Sequence, residues 1–86
     1  MERLVFNENK NIIYDQLKAI RRRRGVSQTD LAARLQVLNI NIDQQMLSKI
    51  EKNKRIVTDY ELVGLCKALK VNISEILMGT DAFFEY

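Results

Sequence analysis

Apolar residues recur along the first half of the chain at the spacing of helices that bury one face. Ile13, Leu17 and Ile20 lie three or four residues apart, so this pattern predicts a first helix over about residues 11–24. Gly25 follows a run of four arginines. A glycine just past a helix, after basic residues in its last turn, is typical of a C-terminus.

A second helix is predicted to begin at about Gln28. Ser27 precedes Asp30 by three residues, which is the spacing of a capped helix start. Leu31 and Leu35 continue this start as a narrow apolar stripe. The sequence therefore predicts two consecutive amphipathic helices.

Eleven residues, 36–46, separate this stripe from the next one. Leu38 lies one turn beyond Leu35 and predicts an extended second helix. The alternating residues 39–42, Asn-Ile-Asn-Ile, are predicted to form the turn, with Ile42 filling an apolar site just before the next helix.

A third helix is predicted over about residues 44–52. Asp43 is placed to cap it, and Leu47 and Ile50 give it a narrow buried edge while its other face is polar. Two short helices, the second one polar at its exposed N-terminal end, are what a helix-turn-helix needs to place side chains in a groove of DNA.

Two further helices are predicted in the second half of the chain. Thr58 is placed to cap a fourth helix, in which Asp59 and Glu61 are expected on the exposed face, directed away from DNA. Ser74 is placed to cap a short last helix that runs to Met78 and ends at Gly79. The fourth helix has a core pattern of Leu62, Leu65, Cys66 and Leu69.

Composition excludes several classes of function. The 86 residues, 47% of them hydrophobic, suffice for one small domain. There is no histidine and only one cysteine, Cys66, so Cys/His metal sites and His-dependent catalysis are excluded, and Cys66 is predicted to be a core residue. We expect no enzyme, no cofactor and no metal. The chain shows no signal-peptide pattern and no apolar run of membrane-spanning length, so we expect a cytoplasmic protein.

Charge is distributed unevenly along the chain. Residues 1–57 carry twelve Lys and Arg against six Asp and Glu, whereas residues 58–86 carry two against five. The first part of the chain is therefore suited to bind an anion such as the DNA backbone.

Three blocks of sequence resemble the phage-repressor-type helix-turn-helix regulators, also called the xenobiotic-response-element family. They are Gly-Val-Ser-Gln-Thr-Asp-Leu-Ala at 25–32, Leu-Ser-Lys-Ile-Glu at 47–51 and Ala-Leu-Lys-Val-Asn-Ile-Ser-Glu-Ile-Leu at 68–77. The resemblance implies an all-α, five-helix, lambda-repressor-like DNA-binding domain with an insertion of about five residues between helices 2 and 3. On this basis residues 1–10 form an N-terminal arm, 11–79 the helix-turn-helix domain and 80–86 an aromatic C-terminal tail.

The same resemblance assigns roles to individual residues. It implies a structural ion pair between Arg21 and Glu51, for which a planar arginine is the suitable partner. It also implies that Gln44 and Gln45 read bases, followed by Lys49. Glutamine suits the N6 and N7 edge of adenine, and a lysine can reach guanine or a phosphate. Phosphate contacts are predicted for Gln28, Ser48, Lys52, Asn53, Lys54, Arg55 and Arg24.

Several assignments have alternatives. Gln28 either contacts a phosphate and braces the first residue of the recognition helix, or is a solvent-exposed first-turn residue. Met46 either contacts a thymine methyl group or packs inward. The inserted segment 36–42 is a turn or touches DNA itself. The tail, with Phe83, Phe84 and Tyr86, either packs onto its own core or forms a dimer contact.

These patterns favour a transcriptional regulator that binds double-stranded DNA as a homodimer, and family analogy favours a repressor. The competing hypothesis is a protein-interaction module, such as the antitoxin of a toxin-antitoxin pair or a regulator controlled by a protein partner.

Overall fold

A computed structural model describes residues 6–84. The described chain is all-α and contains five α-helices and one 3-10 helix, which confirms the predicted fold class. No helix in this part of the chain is long and apolar enough to cross a membrane. The elements are α1 (Tyr14–Arg23), α2 (Gln28–Val37), α3 (Gln44–Glu51), α4 (Asp59–Leu69), α5 (Ile73–Ile76) and the 3-10 helix (Thr80–Phe84).

One hydrophobic core joins the five helices. Helix α3 packs on α1 and α2, and α4 packs on α2 and α5. Burying one such aliphatic side chain contributes about 1.5–3 kcal/mol, so the outward face of α3 rests on a well-packed base. The largest fully buried side chains are Leu17, Ile20, Leu31, Leu35, Ile42, Leu47, Ile50, Leu65, Leu69 and Ile76.

The connection between α2 and α3 is anchored by its isoleucines. Helix α2 ends at Val37, with Leu38 as its C-terminal cap residue, so the predicted extension of helix 2 stops one residue short of Leu38. Asn39 turns the chain in the left-handed region at φ +61°. Ile40 and Ile42 are then buried in the core, so the apolar side chains of the turn face the protein.

Gly64 on α4 makes room for this connection. A Cβ atom at this position would overlap with Cδ1 of Ile40. The absence of a side chain therefore lets Ile40 reach the surface of α4, and the inserted segment becomes part of the core packing.

Two helix starts differ from the predictions. Helix α1 begins at Tyr14, because the Asn11 side chain accepts a hydrogen bond from the backbone N–H of Ile13 at 3.0 Å and holds a turn there. Helix α5 begins at Ile73, with Asn72 as its N-cap instead of Ser74. The Asn11 side chain holds the first of these turns, whereas at α5 the Glu75 carboxylate accepts from the backbone N–H of Asn72 at 3.4 Å.

The tail lies against the N-terminal segment of its own chain. The rings of Phe6 and Phe84 have centroids 4.6 Å apart, and Phe83 meets Tyr14 edge to face at 6.1 Å. Asn7 also donates to the carbonyl of Phe83 at 3.1 Å. Phe83 and Phe84 therefore contact residues near the N-terminus of their own chain and are not part of the buried core. Tyr86 and residues 1–5 of the arm lie outside the described residues.

Candidate nucleic-acid interface

The start of α3 is fixed by its cap. The Asp43 carboxylate accepts from the backbone N–H of Met46 at 2.8 Å, and the Met46 sulfur lies 3.5 Å from the N–H of Asp43. Met46 is half-buried and packs against the core. Of its two alternatives, the inward one is observed. The residues left facing outward at this end of the helix are glutamines.

The predicted base-reading residues share one outward face. Gln44, Gln45 and Lys49 are all exposed, and Ser48 is half-buried beside them. The opposite edge of α3 is buried through Leu47 and Ile50 and its last residue. The helix therefore presents amide and ammonium groups to the surroundings on a rigid support.

A buried ion pair holds the far end of α3. Arg21 donates from Nε to Glu51 Oε2 at 2.6 Å and from Nη2 to Oε1 at 2.9 Å. Its Nη1 donates to the carbonyl of Val26 at 2.9 Å. The hydrogen bonds to Glu51 raise the pKa of Arg21 above its usual value, although burial opposes this shift. The pair fixes α3 to α1, and both side chains are too buried to contact a ligand.

Gln28 lies between this ion pair and the start of α3. Its Nε2 donates to Glu51 Oε1 at 3.1 Å, and its Oε1 accepts from Nε2 of Gln44 at 2.7 Å. Gln28 is half-buried, so it is not the freely exposed residue of the second alternative. It connects the core of the domain to the first exposed side chain of α3.

Three exposed lysines lie on α3 or in the loop that follows it. Lys49, Lys52 and Lys54 are exposed, and none of them forms an ion pair within residues 6–84. Cations without an internal partner are available to an anionic ligand such as a phosphate backbone.

Arg55 is engaged inside the protein instead. Its Nη1 and Nη2 donate to the two carboxylate oxygens of Glu61, both at 3.0 Å. Glu61 is 5% exposed, so its expected place on the exposed face of the fourth helix is wrong. Burial raises the pKa of Glu61, but hydrogen bonds from Arg55 and from the backbone N–H of Thr58 outweigh it, and the net pKa is lowered. Arg55 is therefore not part of the interface proposed below.

Asn53 is also committed to internal contacts. It adopts the left-handed region at φ +60°, and its Oδ1 accepts from the backbone N–H groups of Lys10 and Asn11 at 2.9 and 3.3 Å. Its Nδ2 donates to Asn9 at 2.7 Å. This asparagine ties residues 9–11 to the loop after α3.

Arg24 is exposed and makes one contact with another part of the chain. It donates from Nη2 to the carbonyl of Lys70 at 3.2 Å, at the end of α4. One N–H of Arg24 and the side chain of Asn53 thus bind groups of the protein itself, and the phosphate contacts of both residues stay predictions.

Asn11, which also links residues 9–11 to the end of α3 and the loop after it, was not predicted from the sequence. Asn11 is buried and donates to the carbonyls of Ile50 and Arg55, each at 3.0 Å. No local spacing signals a contact across more than 35 residues. The spacing of Thr58 and Glu61, by contrast, is that of a capping box and could have placed Glu61 correctly.

No group of three or more His, Cys, Asp or Glu within residues 6–84 could hold a metal ion. Cys66 is buried in the core, as predicted, and burial raises the pKa of its thiol.

Comparison with known proteins agrees with this geometry. A family model described as helix-turn-helix matches residues 17–76, which is most of the chain. No curated protein matches the sequence. The matched family consists of DNA-binding regulators, which are usually not enzymes. The chain therefore belongs to the Cro/C1-type helix-turn-helix family, also known as the xenobiotic-response-element or phage-repressor family.

Proposed function

We propose that this protein is a sequence-specific transcriptional repressor that reads the major groove of double-stranded DNA with α3. The observation that carries the proposal is the fixed position of Gln44. Its amide is exposed yet held at 2.7 Å by Gln28, and a preorganised amide is what selective contact with a base edge requires.

Base contacts are assigned to the outward face of α3. Gln44 and Gln45 lie at the N-terminal end of the helix and face base edges, and Lys49 follows one turn later, toward a guanine or a phosphate. Each good two-point contact contributes about 1–3 kcal/mol of discrimination.

Phosphate contacts flank this face. Lys52 and Lys54 are exposed, Ser48 is half-buried beside Lys49, and the second N–H of the Gln28 amide is available at the start of α2. Phosphate contacts of this kind contribute to the affinity for DNA and make that affinity depend on salt concentration, but they do not distinguish one base from another.

The proposed active form is a homodimer in the cytoplasm. A single recognition helix reads few base pairs, and a twofold dimer doubles the site with half-sites about ten base pairs apart. Phe84 is 53% exposed although it contacts Phe6, so its free face remains a candidate dimer contact.

A partner-controlled regulator or antitoxin is the second candidate. Val37, at the end of α2, is 82% exposed, and Tyr60 and Val63 on α4 are exposed as well. Exposed apolar side chains are suited to a protein contact, and such a contact is compatible with DNA binding by α3.

The decisive experiment is selection of duplexes from a random DNA pool by the purified protein, followed by titration of the enriched site at two salt concentrations. We expect an inverted repeat that is bound far more tightly than random DNA. Weak, salt-sensitive binding without an enriched sequence would contradict sequence recognition and favour the protein-interaction candidate.

A further inference from the structure

We infer that Glu51, a buried residue, sets which base Gln44 prefers. The inference rests on the proposed function, because it specifies the base edge that the exposed amide on α3 complements. Its basis is a chain of two hydrogen bonds, in which Gln44 donates to Gln28 and Gln28 donates to Glu51.

The first step is that Glu51 only accepts hydrogen bonds. Both of its oxygens accept from Arg21, at 2.6 and 2.9 Å, and the residue is 7% exposed. A carboxylate paired with a guanidinium has no hydrogen to donate. Any third partner of this carboxylate must therefore be a donor.

The second step fixes Gln28. Its amide meets Glu51 Oε1 at 3.1 Å, and only the NH2 end of an amide can donate there. The oxygen of Gln28 must then point the other way, toward Gln44. The opposite orientation would place two acceptors against each other.

The third step fixes Gln44. Its NH2 group donates one hydrogen to Gln28 at 2.7 Å, which leaves one N–H and the oxygen for a ligand. Adenine offers a matching N7 acceptor and N6 donor in the major groove, whereas guanine offers two acceptors. Glu51 is therefore a positioning residue that makes the Gln44 amide select adenine.

Gln45 provides an internal comparison. It is exposed, and no hydrogen bond holds its side chain within the described part of the chain. Its amide can turn over to suit either purine. We therefore expect a strict preference for adenine opposite Gln44 and a weaker preference opposite Gln45.

The test is the substitution Glu51→Gln, assayed by titration of operator duplexes that differ in one base pair. The base pair opposite Gln44 is first identified as the one at which Gln44→Ala loses discrimination. In Glu51→Gln residue 51 no longer only accepts hydrogen bonds, because its amide can present an NH2 group to Gln28. Where it does so, the amides of Gln28 and Gln44 turn over and Gln44 presents two N–H donors, so the affinity ratio of adenine to guanine should fall, by up to about tenfold.

A matched double variant checks the direction of the relay. The double variant Gln28→Glu, Glu51→Gln has the same net charge as the wild-type protein. It places a carboxylate, which only accepts hydrogen bonds, beside Gln44. Adenine preference should return in the double variant, even where its overall affinity is lower. A role limited to stability does not predict this recovery.

The outcomes separate this inference from the proposed function. If the wild-type protein has no preferred duplex, the proposed function is wrong. If it has one, but Glu51→Gln weakens all duplexes alike or loses discrimination equally opposite Gln44 and Gln45, only the role of Glu51 is wrong.

A second variant covers loss of folding. If thermal melting shows that Glu51→Gln is unfolded, the variant Gln28→Met tests the inference instead. It removes the hydrogen bonds of Gln28 to Glu51 and to Gln44 and leaves the ion pair between Arg21 and Glu51 intact. Loss of discrimination opposite Gln44 but not opposite Gln45 supports the inference. Equal loss at both base pairs overturns it.

Discussion

Arg21 and Glu51 form a two-point ion pair that links α1 to the last residue of α3. The two hydrogen bonds measure 2.6 and 2.9 Å, and the side chains are 11% and 3% exposed. The charged groups are therefore largely removed from water, and each one depends on the other for compensation. The pair positions α3 while its own side chains stay largely buried.

Removing one partner of this pair should strongly destabilise the domain. We expect Arg21→Met to lower the free energy of unfolding in urea by about 3–5 kcal/mol, because Glu51 is left buried and unpaired. The matched control is Arg23→Met, since Arg23 faces Glu75 at 3.7 Å on the surface and its loss should change stability by less than about 1 kcal/mol. Equal effects of the two substitutions would contradict a stabilising role for the buried pair.

Gly64 should tolerate a side chain only when Ile40 is shortened. In the wild-type background, overpacking against Cδ1 of Ile40 costs about 1–3 kcal/mol and outweighs the gain of about 1 kcal/mol in helix propensity. Gly64→Ala should therefore lower the thermal midpoint.

In an Ile40→Val background, which lacks that carbon atom, the same substitution should be neutral or stabilising. Measuring all four proteins isolates the coupling between the two positions. The same loss in both backgrounds would show that Gly64 is needed for another reason than its contact with Ile40.

The helices could largely be predicted from local sequence, because each depends on a repeat or a cap. Ser27 and Asp43 stand at the N-caps where their spacing placed them. The contacts of Arg55 and Asn53 could not be predicted in this way. An arginine near a recognition helix has the same local pattern whether it faces a phosphate or Glu61, and the choice depends on tertiary packing.

Asn53 should stabilise the protein through its side chain as well as its backbone. Asn53→Gly keeps the left-handed conformation but loses the hydrogen bonds to Asn9, Lys10 and Asn11, at an expected cost of about 1–3 kcal/mol. Asn39 has nearly the same φ, +61° against +60°. Its side chain forms no hydrogen bond within residues 6–84, so Asn39→Gly should be close to neutral in urea unfolding. A similar loss at both positions would mean that backbone entropy alone accounts for the effect.

Stability should decline in acid through Glu61. Because its pKa is lower in the folded protein than in the unfolded chain, its contribution is complete above the unfolded value of about 4.3 and is lost as the pH falls through the folded value. We expect a nearly constant free energy of unfolding from pH 7 to pH 5 from this group, and a decline below about pH 4.3. Glu61→Gln should flatten that decline, and Arg55→Met should do the same by removing the partner that lowers the pKa. An acid decline as steep in both variants as in the wild type would exclude this ion pair as its cause.

Lys54 and Arg55 are adjacent cations with different predicted roles. Lys54 is exposed, so Lys54→Ala should weaken binding to all duplexes alike and reduce the slope of log affinity against log salt by about one. Arg55→Ala removes the same charge but one that is bound to Glu61, so it should lower the thermal midpoint and leave the salt slope nearly unchanged. Because the two variants have equal net charge, a difference in slope can come only from where each cation lies. Equal slopes would show that the loop contributes through net charge and not through a phosphate contact at Lys54.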